Sequence, residues 1–406
     1  MLTLTSGESD FLKQSTERNA AVRLDILDLA TGVLVKRIQS MASDALSGEV
    51  LAITGGNVRV DTAAETLRTL TLELVDPLHE LALGIGKIIG PDKLLKVYKG
   101  YQIPSPWGSG AYTFWPLGAF ILNGVPEIDA TGGKRTIRIQ AGDKSCLANR
   151  RPRGGFRTAY RVSQGALKKD AIKAIAQYET WAETEFNLAP ESTQTVPYDQ
   201  PFTDQQSPWE AATKIAAIPE ANGNITRLYY DAYGRLTLWV DPGPDLDNLP
   251  AVWTAQSVTS GFSQLVGAKL APDILSFRNA SRVKWGSSRV TPGVVTIYDS
   301  TATSDTYVGK IGWFIEDWKN GQQDDLIRNS AEATARANYE YKRLKSYQER
   351  VPMTLVEQPA LEPWDVVQVV ESQADINGKY QLLSFTVDLG GSGILSAEGW
   401  RVRKLV

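Results

Sequence analysis

The side chains able to do chemistry are few. One histidine, His79, and one cysteine, Cys146, occur in 406 residues. Nucleophilic triads and most zinc enzymes draw on histidine as base or ligand. A lone cysteine makes neither an intramolecular disulfide nor a cysteine-based zinc site. His79 follows Val75-Asp76-Pro77-Leu78 and reads as a solvated residue in a turn leaving a strand. Glu179, Glu183 and Glu185, with Glu191 nearby, have the residue type that sugar hydrolysis needs. Glu179 and Glu183 are four apart and share one helix face, whereas catalytic carboxylates face each other across a cleft. The set is therefore expected to be a solvated helix face. Trp107, Tyr112, Phe114 and Trp115 lie in a Pro/Gly-rich loop that could stack on a sugar ring or bury against a neighbouring subunit. Aromatics are enriched where chains meet, so the subunit interface is expected. The basic run Lys144, Arg150, Arg151, Arg153 and Arg157 is interleaved with Gly and Pro; it reads as a linker touching acidic neighbours rather than DNA phosphates. No P-loop, GxGxxG, HExxH or GxSxG pattern occurs, and Asp241-Pro242-Gly243-Pro244-Asp245-Leu246-Asp247 lacks calcium-loop spacing. No catalytic, cofactor-binding or metal-binding residue is assigned, no cofactor is expected, and the chain is not expected to be an enzyme.

The elements around these residues come from hydrophobic periodicity. Composition is ordinary for a globular protein, with 42% apolar and 22% charged residues and a net charge of −3. That charge argues against a broad basic face gripping nucleic acid. No apolar run reaches the roughly 18 residues of a membrane span, and the start lacks the basic-then-apolar pattern of a secretory signal. Folding in a cytoplasm is expected. The pattern predicts an α+β, mostly β, multi-domain chain with two similar small β-barrels flanking two mixed α/β domains, in four regions. Residues 1–152 alternate apolar and polar at Val22–Asp28, Asn57–Asp61, Leu70–Val75 and Thr136–Gln140, the period of half-buried strands in a first barrel. Residues 153–250 form a helix-plus-hairpin domain. Leu167, Ala171, Ile172, Ile175, Tyr178, Ala182 and Phe186 mark an amphipathic helix. Ser207, Pro208 and Glu210 mark a capped helix start. Leu228–Asp231 and Leu236–Val240 mark a hairpin. Residues 251–345 form a mixed strand and helix domain, its helix expected from Asp324 to Leu344. Residues 346–406 form a closing barrel.

The first and last regions echo each other. Pro91 to Tyr98, then Gly118-Ala119-Phe120-Ile121-Leu122, is matched by Pro363 to Val370, then Gly378-Lys379-Tyr380-Gln381-Leu382. Each glycine precedes an aromatic by two positions and a leucine by four, and each block leads to a paired-glycine turn. The pattern suggests a duplicated unit; a trimer would set six such units around one axis.

In order along the chain, KVYKG at 96–100, PLGAFIL at 116–122, IRIQAGDK at 137–144, PWEAATKIA at 208–216, LYYDAYGRLTL at 228–238, PALEPWDVVQVV at 359–370 and NGKYQLLSFTVDL at 377–389 resemble the baseplate hub family of tailed phages and related injection machines. The likeness covers nearly the whole chain and is weak over 251–345. It implies a homotrimer whose two barrel types form a pseudo-sixfold ring adapting the tail tube to the tip. The distal tail protein, tail tube, tape measure protein and tip spike or fibre proteins would be its neighbours. DNA would pass through the bore without specific binding, and the bore would be lined by small polar or acidic residues. The chain stops at Val406, so a lytic or receptor-binding extension is expected to belong to another protein. Two rival readings stand beside this one: a receptor- or carbohydrate-binding tail adhesin, and a cell-wall-degrading tail enzyme.

Overall fold

The alternating segments form strands throughout. The computed structural model describes residues 2–15, 18–41, 51–131, 134–149, 155–178, 181–258, 263–273, 276–287, 290–345, 348–391 and 393–402. A helix α1 (Ser6–Gln14) opens the chain, held by a Thr5/Glu8 capping box, and buries Phe11 and Leu12. Eight strands follow: β1 (Ala20–Asp28), β2 (Leu34–Met41), β3 (Ala52–Asp61), β4 (Arg68–Val75), β5 (Lys93–Gln102), β6 (Tyr112–Leu122), β7 (Glu127–Thr131) and β8 (Lys134–Asp143). They pair antiparallel in the order β2-β1-β5-β6-β8-β4-β3, with β7 on β8. Alternation decides which face is buried: Leu70, Leu72 and Leu74 of β4 point inward while Thr69 and Thr71 are exposed. The two ends of this set approach each other, since the Ile53 amide of β3 donates to Ser40 Oγ of β2 at 2.7 Å.

The middle body holds α2 (Ser145–Ala148), β9 (Tyr160–Val162), α3 (Lys168–Ala176), β10 (Phe186–Leu188), β11 (Gln200–Phe202), α4 (Pro208–Ala216), β12 (Thr226–Tyr230) and β13 (Leu236–Val240). Ile172 and Ile175 of α3 pack with Ile215 of α4 and with Leu236 and Leu238 of the hairpin. The expected Ser207 cap is present: its hydroxyl accepts from the Glu210 amide at 3.0 Å, and Glu210 reaches back to the Ser207 amide. The expected helix from Leu167 to Phe186 is shorter than its periodicity. It ends at Ala176, Ala182 has φ +52°, and Phe186 enters β10. Tertiary bonds override the helix: Trp181 Nε1 donates to the Tyr230 hydroxyl at 2.7 Å, and Glu183 is drawn under Lys144.

Next come β14 (Trp253–Gln256), β15 (Leu265–Ala268), β16 (Ala271–Asp273), β17 (Ala280–Ser287), β18 (Val290–Tyr298), α5 (Val308–Ile311), β19 (Ile315–Asp317) and α6 (Ser330–Leu344). Strands β18-β17-β19 make a small sheet under α6, around Val283, Ile327, Ala333 and Ala337. The expected helix start at Asp324 is displaced to Ser330, capped by Asn329. Asp324 is withdrawn because it accepts from Trp318 Nε1 and Lys319 Nζ, each at 2.8 Å, and from the Leu326 amide at 3.0 Å.

The closing strands are β20 (Gln348–Val356), β21 (Val366–Glu371), β22 (Ile376–Asp388) and β23 (Ile394–Val402). Their antiparallel order, β20-β23-β22-β21, repeats that of β4-β8-β6-β5. The register repeats as well. Leu95 faces Phe120 and Val97 faces Gly118 in one unit; Val367 faces Tyr380 and Val369 faces Gly378 in the other. Strands from the 251–273 stretch join this unit: β14 runs parallel to β21, while β15 and β16 pair with β20.

Two separate barrels were expected. Instead, the first half of β22 pairs with β21 and its second half, Ser384–Asp388, pairs with β3. All these strands therefore belong to one 15-stranded sheet, and among the described residues neither set closes into a barrel. The fold is mostly β, in several sheets.

Candidate functional site: a buried polar junction

The residues singled out by type fall in separate places. His79 is exposed in a turn whose amide donates to Asp76 O. Cys146 is buried, and burial pushes its thiol up to about 11, away from nucleophilic use. Glu179, Arg150, Arg151 and Arg153 lie outside the described residues.

The remaining glutamates are not one solvated face. Glu191 is exposed and Glu185 half-buried, but Glu183 is 3% exposed. Glu183 accepts from Lys144 Nζ at 2.8 Å, from the Tyr230 hydroxyl at 2.7 Å and from the Thr184 and Glu185 amides at 2.9 Å. Lys144, buried too, also donates to Glu185 at 3.3 Å and to Gly234 O at 3.0 Å. Lys144 thus meets acidic groups of its own chain, and Arg157 is exposed.

The aromatic set also packs within the chain. Trp115 is 4% exposed, and Trp107 stands edge-on to Phe11 of α1 with centroids 5.9 Å apart. Tyr112 stacks with Phe114, and Arg23 lies over the Phe114 ring at 4.8 Å. Trp115 belongs to the first core, while Trp107, Tyr112 and Phe114 stay half-buried.

The most concentrated polar chemistry lies where the units join. The connector between β20 and β21 carries Glu357, Glu362 and Asp365 into the interior. Arg68 of β4, 2% exposed, forms an ion pair with Glu362. Its guanidinium also donates to Leu117 O at 3.0 Å and Tyr230 O at 3.1 Å. Glu362 accepts in turn from the Ala232 amide at 3.2 Å. One guanidinium therefore ties together β4, β6, the β12–β13 hairpin and the connector. Five residues earlier in the connector, Glu357 faces β5. It takes the Tyr101 hydroxyl at 2.6 Å and lies 3.5 Å from Lys99 Nζ, which also donates to Asp388 O at 2.8 Å.

Burial sets the electrostatics. It raises the carboxyls of Glu362, Glu357, Asp365 and Asp143 above their ordinary range, opposed at Glu362 by Arg68 and at Glu357 by Lys99. Tyr101 is raised by the same burial. Donors and acceptors are directed at one another across unit boundaries, an arrangement that fixes relative position rather than presenting a reactive group. Among the described residues, no group of three or more His, Cys, Asp or Glu is placed to hold a metal ion, and no helix is long and apolar enough to cross a membrane.

Sequence periodicity contained a signal for this junction. Arg68 lies on the inward stripe of Leu70, Leu72 and Leu74, and Lys99 on that of Leu95 and Val97. A cation on an apolar stripe needs a buried partner.

No family model matches the chain, and no curated protein matches it in sequence. Solved structures do match, among them tail and prophage tail proteins. The tail protein from Neisseria meningitidis MC58 superposes with a TM-score of 0.59 at 13% identity, covering 94% of this chain and 97% of that one. The 43 kDa tail protein of prophage MuSo2 from Shewanella oneidensis gives 0.54 at 12% identity, over 94% and 98% of the two chains. The prophage tail protein gp18 from Listeria monocytogenes gives 0.53 at 11%, over 95% of each. The chain has the fold of these proteins over nearly its whole length, in agreement with the baseplate-hub resemblance of its sequence.

Proposed function

We propose that this chain is a structural hub of a phage tail tip or baseplate. Three copies form a pseudo-sixfold ring that continues the tail tube and lets the tape measure protein and DNA pass. The observation that carries this reading is the repeated unit. Strands β4, β5, β6 and β8 and strands β20, β21, β22 and β23 have the same order and the same facing pairs within one chain. Three chains then offer six equivalent walls, the arrangement that matches a sixfold tube to a threefold tip. The rigid junction of Arg68, Glu362, Lys99 and Glu357 supports it, because a ring wall must hold its two units in fixed register. The whole-length likeness to tail proteins supports it at the level of fold. The distal tail protein, tail tube, tape measure protein and a spike or fibre would be its neighbours in the virion, and synthesis would occur in the host cytoplasm. DNA passes without specific binding, along a bore of small polar or acidic groups.

Glu183 is engaged by Lys144 and Tyr230, and Trp115 is in the core, so neither the enzyme nor the aromatic-loop adhesin gains support from those residues. Native mass measurement of the purified chain, with negative-stain imaging of it and of intact particles, tests the hub reading. Threefold rings are expected. A chain that stays monomeric and forms no ring even within particles refutes it.

A further inference from the structure

A long cleft runs where the middle body, α6 and the closing unit meet. It consists of two adjoining cavities of about 660 and 240 Å³, which share Gly243, Pro244 and Tyr339. The larger falls within the roughly 300–1,000 Å³ typical of small-ligand sites. One wall is a face of α6: Asn338, Lys342 and Lys345 recur at helical spacing and all line the larger cavity. The facing wall is made by Asn222 and the loops around Asp245 and Thr303. The smaller cavity adds Arg227, Arg343 and Arg350.

The larger cavity balances Lys342 and Lys345 against Asp245 and Asp305, and the excess of cations lies in the smaller one, where Arg227, Arg343 and Arg350 face Asp241. Several charges are already engaged. Arg343 pairs with Glu340 at 2.9 Å, Arg350 with Glu398 at 3.1 Å, Arg227 lies 3.9 Å from Asp241, and Asp305 is held by Lys310 at 2.8 Å. Lys342 has no acidic partner among the described residues, and it is exposed. In the smaller cavity, Gln381 is only 4% exposed, yet its Nε2 has no hydrogen-bond partner among the described residues. A buried amide donor without a partner costs free energy unless something accepts from it.

We propose that this cleft binds an acidic oligosaccharide, one carrying a carboxylate or phosphate. The amides of Asn222 and Asn338, the Thr303 hydroxyl and the Asp245 carboxylate suit sugar hydroxyls, which both donate and accept. Lys342 takes the anionic group, with Lys345 three residues on at the C-cap of α6. A single-stranded nucleic acid fits less well, because base stacking needs free aromatic faces. Trp364 is 7% exposed and stacked on Trp239 with centroids 5.6 Å apart, Tyr339 is 5% exposed, and Trp400 alone of the lining aromatics is half-buried. This site is separate from the Trp107–Trp115 loop and adds a recognition role to the hub.

The test is an array of acidic and neutral oligosaccharides probed with the full chain, followed by calorimetry on the best acidic binder. An oligothymidylate is the competing probe. Acidic sugars are expected to be retained, with affinity falling as salt rises. Lys342→Glu and Asn338→Ala should each weaken binding at least tenfold. Both variants should keep the wild-type melting temperature, since Lys342 is exposed and Asn338 half-buried. The proposal is overturned if no acidic sugar is retained, if both folded variants bind as wild type does, or if the oligothymidylate binds more tightly than every glycan.

Discussion

Replacing Arg68 by Met tests the junction most directly. The change keeps an unbranched side chain of similar reach but removes the positive charge and all its donors. Three acceptors then lose their partner: Glu362, Leu117 O and Tyr230 O. Breaking a buried pair from one side costs about 3–5 kcal/mol, because the remaining charge is left uncompensated. We expect about 4 kcal/mol here, since Glu362 keeps the Ala232 amide as one donor. The deficit should depend on pH, and its sign follows from linkage. Burial already raises the Glu362 carboxyl, so its contribution to stability is fully present below its unfolded value and is lost as pH rises through the folded one. Arg68 opposes that rise; without it the folded value climbs further. The gap between variant and wild type is therefore widest near about pH 8 and narrows toward about pH 5. Urea unfolding at both values measures it. Adding Glu362→Leu to the variant should restore much of the loss, because an apolar pair of similar volume has no charge left to desolvate. A deficit under about 1 kcal/mol, or one unchanged between those pH values, refutes the claim that this ion pair locks the units together.

Two further outcomes follow from close packing and capping. Gly223 has φ +82°, and a Cβ there would lie 2.2 Å from Ala335 O of α6. Gly223→Ala should destabilise by more than about 1 kcal/mol and speed protease cleavage within residues 276–345; cleavage at the wild-type rate would contradict this seat for α6. Ser207→Ala removes the α4 cap and should cost about 1 kcal/mol in urea unfolding, whereas Ser207→Asp should cost less.

Local rules were legible wherever local bonds decide. The Ser207 cap, the β12–β13 hairpin and the alternation of β4 follow from spacing alone. Spacing also holds the Thr5-x-x-Glu8 box of α1, set before the buried pair Phe11 and Leu12. Periodicity misled where distant residues compete. The stripe from Leu167 to Phe186 is helical in spacing, but Trp181 and Glu183 gain more from Tyr230 and Lys144 than from another helical turn. Asp324 suits a helix N-terminus, but Trp318 and Lys319 hold it elsewhere. Neither pull is visible until the chain has folded back on itself. The junction was half legible: inward stripes single out Arg68 and Lys99, while their partners lie more than 250 residues away, with 294 separating Arg68 from Glu362.

The relation between the two units explains why so much charge is buried. Apolar packing alone tolerates slippage between two similar sheets, because period-2 surfaces present similar faces at each step of two residues. Here the risk is doubled, as both units have the same order and register. Strand β22 must give its first half to β21 and its second to β3, and a shift of two residues would keep the same faces inward. The ion pairs remove that freedom. Glu362 reaches Arg68, and Glu357 reaches Lys99 and Tyr101, in only one register; any other leaves four charged groups buried without partners. Apolar replacements at both pairs should therefore yield a chain as stable as wild type but less uniform. Amide exchange over Ser384–Asp388 would speed up while the global unfolding midpoint held. That separation of stability from register is what the proposed ring would require, since one slipped unit would break the wall for its neighbours.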